Sequence, residues 1–100
     1  MDISLLYTTC QQVRLTAWND FKNKITNAIF PLTNNIIDIE INDMLSVIRQ
    51  KVRAVIYNKY NVSLEQEMYI KKTIKNHTDF AMKRGHEFEE MQRNKQAKCM

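Results

Sequence analysis

The stretch INDMLSVIRQKVRAVIYNKY, residues 41–60, has the most regular apolar pattern in the chain. Ile41, Leu45, Ile48, Val52 and Val55 step by three and four, and Met44, Ile56 and Tyr60 widen the stripe. That spacing places them on one face of an α-helix. Charge is graded along the same segment. Asp38, Glu40 and Asp43 stand near its start; Arg49, Lys51, Arg53 and Lys59 stand toward its end. This order complements the helix dipole. The apolar face is too wide for a lone helix, so the segment is expected to pack against a helix on either side.

Upstream, residues 2–30 read as one long helix or two in tandem. Leu6, Cys10, Val13, Ala17, Phe21, Ile25 and Ala28/Ile29 again step by three and four, with Trp18 beside the stripe. Thr8, Thr9 and Thr16 are weak points, because β-branched residues lower helix propensity. Asn19 or Asp20 offers a cap for a second piece starting near Phe21. Pro31 closes the element and makes Phe30 its expected last helical residue. Residues 31–38 form a connection with the turn formers Asn34 and Asn35, and the central helix is expected over 38–60.

Downstream, Asn61, Val62 and Ser63 form a short turn. Ser63 with Gln66 matches a capping box, Val62 can staple it, and Glu65 and Glu67 fall where the dipole favours negative charge. A third helix follows over 63–84, with apolar positions Leu64, Met68, Ile70, Ile74, Phe80 and Ala81. Gly85 either ends it or weakens it. Residues 86–100 are a charged tail that extends the helix or is disordered.

These elements describe an all-α three-helix bundle, with a single domain over 1–85. The 100 residues suffice for one core. One glycine and one proline favour long helices over a turn-rich β fold. Apolar residues make up 44% and charged residues 26%, too apolar a composition for general disorder. No run is long and apolar enough to span a membrane, and the N-terminal MDISLLYTTC is a poor secretory signal. Cys10 and Cys99 stand near opposite ends without metal spacing. They read as free thiols in a reducing compartment, so the expected location is intracellular, in nucleus or cytoplasm.

No motif for catalysis emerges, and none for a metal or cofactor. His77 and His86 lack a second ligand at helical spacing. The carboxylates Asp38 and Glu40, and Glu87, Glu89 and Glu90, lie on one helix start and on the tail, not across a cleft. Ser63 is explained as a cap. The net charge of +4 and isoelectric point near 9.2 permit acidic partners or nucleic acid. Arg49 and Arg53 share one helix face, and Lys71 and Lys75 share another with Lys72 beside them; Lys22 and Lys24 lie on the first helix. If aligned, these faces suit phosphate contact; otherwise they are solvated charge. Most of the nine aromatic residues fall on apolar faces, which favours core packing over base stacking.

The run Lys24-Ile25-Thr26-Asn27-Ala28-Ile29-Phe30-Pro31 resembles the end of the first helix of a KIX domain, a coactivator module that binds activation-domain helices. Met44-Leu45, Gln50-Lys51-Val52 and Ile56-Tyr57 then fall near that family's second-helix pattern. The resemblance covers roughly residues 18–84. It implies a partner groove lined by Ile29, Phe30 and Leu45, with Ile48 one turn further on, and these residues also read as plain core. The family's third-helix tyrosines and lysines are matched only by Tyr69, Lys71, Lys72 and Lys75.

The sequence therefore points to a non-catalytic interaction module holding an amphipathic helix of another protein in an apolar groove, with basic residues at the rim. A second reading is a small basic homodimer of the silencing-suppressor type. It would grip double-stranded RNA or DNA backbone with Arg49, Arg53, Lys71 and Lys75. A third is a structural subunit docked by its apolar first helix. No membrane partner is expected.

Overall fold

The computed structural model describes residues 3–28 and 32–98, with side chains through residue 92. It contains three helices: α1 (Ile3–Thr26), α2 (Asn34–Lys59) and α3 (Leu64–Lys98). No strand occurs among the described residues. Each helix packs on both others, in an up-down-up bundle with α1 and α3 running the same way. The molecule measures 55 × 21 × 18 Å. At about 1.5 Å per residue, α3 alone spans that length.

α1 is continuous through Thr8, Thr9 and Thr16, so the weak points do not break it. Burial of Leu6, Thr9, Cys10, Ala17, Phe21 and Ile25 along one face outweighs the propensity deficit. The helix ends at Thr26, earlier than Pro31 alone implied. The Asn27 amide donates to the Asn23 carbonyl at 3.0 Å and the Ala28 amide to the Ile25 carbonyl at 3.4 Å. The second of these is a tight i to i+3 closure of the last turn.

α2 begins one turn before the expected Asp38. Thr33 is its N-cap, with extended backbone, and its side-chain oxygen accepts from the Ile36 amide at 3.3 Å. The extra turn brings Ile37 into the core. It also moves Asp38, Glu40 and Asp43 beyond the first turn, where the dipole effect has largely decayed. The buried row runs Ile37, Ile41, Met44, Leu45, Ile48, Val52, Ile56. Its C-terminal part steps strictly by four, and a row of fours winds around the helix, so Val55 is left exposed.

The capping box at α3 forms in full. The Ser63 amide donates to Gln66 Oε1 at 3.1 Å, and the Gln66 amide donates to Ser63 Oγ at 3.3 Å. Val62 packs against the core. α3 departs most from expectation. Leu64 and Met68 are 81% and 74% exposed and Phe80 is half-exposed, while the buried face is Ile70, Thr73, Ile74, Thr78, Ala81 and Gly85. The two threonines enter the core because their hydroxyls donate to their own helix, Thr73 to the Tyr69 carbonyl at 3.0 Å and Thr78 to the Lys75 carbonyl at 2.9 Å.

Gly85 does not end the helix. It is buried against α2, and a Cβ there would lie 3.2 Å from Ile41 Cγ1 and 3.3 Å from its Cδ1. The missing side chain lets α2 and α3 approach closely, and α3 continues into the tail. Phe88 then packs edge-on against Trp18 and Phe21, with ring centroids 5.7 and 6.2 Å away. The tail thus starts as part of the bundle.

Candidate partner-binding surface

Leu45 and Ile48 are buried between the helices, so they hold the core and present no open groove in this arrangement. Ile29 and Phe30 lie outside the described residues. Arg49 and Arg53 are exposed on α2; Lys71, Lys72 and Lys75 are exposed on α3. Because α2 and α3 are antiparallel across a short turn, these five occupy the same half of the bundle. Lys71 is 3.5 Å from Glu67 and Lys75 is 2.9 Å from Asp79, both one turn away on α3, so two of these three α3 lysines are locally compensated.

Between α1 and α2 a cleft of about 70 Å³ is bordered by Phe21, Met44 and Val47 and by the carboxylates Asp20, Glu40 and Asp43. Lys24 spans it to Glu40 at 3.5 Å. Among the described residues no group of three or more His, Cys, Asp or Glu is placed to hold a metal. His86 Nδ1 sits 3.5 Å from a Glu89 oxygen, within one turn of α3. The Cys10 thiol is free and buried, and burial pushes its pKa up to about 11, with Arg14 opposing. A thiol held protonated in this way is unreactive. No described helix is long and apolar enough to cross a membrane.

The outer seam between the parallel helices α1 and α3 is different. Ile3, Tyr7 and Leu15 from α1 and Tyr69 and Phe80 from α3 are all large, apolar or aromatic, and exposed. At one end the Tyr7 and Tyr69 hydroxyls share a 2.7 Å hydrogen bond. That bond, and then the charge of the neighbouring phenol, raises the Tyr7 pKa. Ile3, Glu65, Gln66 and Tyr69 border an open depression of about 230 Å³ there.

Further along, Arg14 lies over the Phe80 ring at 4.5 Å. Arg84 lies 5.8 Å from the same ring and 5.2 Å from Trp18, and Lys22 lies 5.9 Å from Trp18. Leu15 and Ala81 complete a small hollow of about 30 Å³. Arg14 Nε is buried without a hydrogen-bond partner. Among the described residues, none of Arg14, Lys22 and Arg84 has a carboxylate oxygen within 4.0 Å. His77 is half-buried on α3; burial first, and Arg14 second, push its pKa below the ordinary histidine value.

Arg14, Leu15 and Arg84 do not stand out in the sequence. One local signal exists: Arg14 precedes Trp18 by four residues and Phe80 precedes Arg84 by four, so each helix carries an arginine and an aromatic ring one turn apart. That the two pairs meet is a property of the helix register. No protein-family model, curated protein or solved structure compared with the chain matches it.

Proposed function

We propose that this chain is a non-catalytic protein-interaction module that receives an amphipathic helix of another protein along the α1–α3 seam. The observation that carries this reading is the line of exposed apolar side chains, Ile3, Tyr7, Leu15, Tyr69 and Phe80, between two parallel helices. A helix laid into such a groove covers apolar surface that otherwise faces water. From Ile3 to Trp18 the seam is about 22 Å long, the length of about four helical turns. The resemblance of Lys24–Pro31 to a KIX helix end suggests the same class of activity, at a groove different from the one that resemblance implies.

The test is a titration with an amphipathic peptide carrying leucines at helical spacing. Leu15→Ala with Phe80→Ala should weaken binding by about tenfold or more if these are anchors, with little change in melting temperature. Unchanged peptide binding in this double variant would move the site elsewhere.

Duplex nucleic acid remains the second reading, favoured by the collection of Arg49, Lys51, Arg53, Lys59 and Lys72 in the half of the bundle next to the α2–α3 turn. Light scattering with a short RNA duplex at two salt concentrations separates the two. Steeply salt-dependent binding, flattened by Arg49→Ala with Arg53→Ala, belongs to the duplex reading.

A further inference from the structure

Packing has brought Arg14, Arg84 and Lys22 together around two aromatic rings and left them without a counter-ion among the described residues. Both guanidinium groups lie within 6 Å of the Phe80 ring, so they stand no more than about 10 Å apart. Concentrated like charge is unfavourable in the free protein, and Arg14 already opposes protonation of His77. Elsewhere on α3 the lysines Lys71 and Lys75 have carboxylates of their own. Among the described residues the seam cations have none within 4.0 Å.

We infer, building on the docking reading above, that Arg14 and Arg84 form a carboxylate clamp across Phe80, and that the helix the seam receives is acidic. An Asp or Glu of the partner meets the guanidinium groups, while its apolar residues one turn away lie on Leu15 and the exposed part of Phe80. The guanidinium plane suits two parallel hydrogen bonds to a carboxylate. Their position beside the rings restrains the guanidinium groups beforehand, so less side-chain freedom is lost on binding. This is a short-range role, distinct from long-range attraction by exposed rim charge, which acts mainly on the association rate.

The test uses the full chain and three helical peptides with one leucine pattern, whose polar faces are Glu, Gln or Lys. Trp18, the single tryptophan, lies beside Arg84 and reports binding by its fluorescence. The Glu peptide should bind the wild type at least about tenfold tighter than the Gln peptide, and the Lys peptide weakest. Arg14→Gln with Arg84→Gln should abolish the Glu advantage through faster dissociation. Arg14→Lys with Arg84→Lys, which keeps charge but removes the planar fork, should lose most of it. Melting curves establish that each variant is folded. Equal affinity for the Glu and Gln peptides in the wild type overturns the clamp and leaves the docking surface standing. Full retention by the lysine variant also overturns it, since point charge would then suffice. Binding of none of the peptides overturns both readings. If a short RNA duplex instead binds and depends on Arg14 and Arg84, the site belongs to a phosphate backbone.

Discussion

In α2 most of the large apolar side chains turn inward: Ile37, Ile41, Leu45, Ile48, Val52 and Ile56 are buried, while Ile39, Val55 and Tyr57 stay outside. In α3 the large ones largely face water. Leu64, Met68, Phe80, Met82 and Met91 are exposed, while two threonines, an alanine and a glycine occupy buried positions. The two helices lie against each other, so the difference is complementary. α2 supplies bulk and α3 supplies room. A close-packed interior selects for fit between facing surfaces as well as for hydrophobicity. A threonine that satisfies its hydroxyl within its own helix is then a small apolar residue for packing purposes. The large side chains that α3 does not need inside become available for contact with another molecule.

The largest expected effect tests the bulk side. Ile48→Ala should destabilise the fold by about 2–4 kcal/mol, because it removes methyl groups from a fully buried site and leaves a cavity. Met68→Ala, on the exposed side of α3, should stay within about 0.5 kcal/mol. Chemical denaturation measures both. Similar losses at the two sites would end the contrast between the helices.

The next tests the room. Gly85→Leu should cost about 1–3 kcal/mol, because the new side chain must displace Ile41 and Met44. Gly85→Ala sets a better helix former, a gain of up to about 1 kcal/mol, against a Cβ placed 3.2 Å from Ile41 Cγ1. Adding Ile41→Val removes the Cδ1 at 3.3 Å and should make Gly85→Ala more favourable than in the wild type. Strict additivity in that double-mutant cycle would show that the close approach is unimportant.

The helix starts differ too, by a smaller margin. Ser63→Ala should cost about 1 kcal/mol, and Thr33→Ala less. Ser63 takes part in a reciprocal pair of bonds, whereas Thr33 accepts one from Ile36 and has no return bond. A larger loss at Thr33 would mean that Ile37, carried by the extra turn, weighs more than the cap itself.

The smallest effect concerns pH and the α1–α3 contact. His77 has a pKa held below the ordinary histidine value of about 6.5. The unfolded chain therefore takes up the proton at higher pH than the folded one. The stability that comes from a neutral His77 is complete above the ordinary value and is lost as pH falls through the depressed one. The melting temperature should drop modestly between about pH 7 and pH 5, and His77→Gln should remove that part of the drop. An unchanged profile in the variant would place the pH dependence on other groups.

The sequence by itself determined that there are three helices, that Ser63 and Gln66 open the third, and that Ile41, Leu45, Ile48, Val52 and Ile56 face inward. Each follows from interactions within about one helical turn, or from a periodicity that is regular over many residues. The tertiary structure decided what depends on a neighbour. Thr33 becomes a cap although the residue three positions on is Ile36, which cannot return a bond. Gly85 reads as a breaker until Ile41 is seen against it, and Phe88 reads as tail until it meets Trp18 and Phe21. The meeting of Arg14 with Phe80, and of Arg84 with Trp18, joins residues more than sixty positions apart. Periodicity tells which side chains share a face of one helix. It carries no information about the register in which two helices lie side by side, and that register is what assembles the seam.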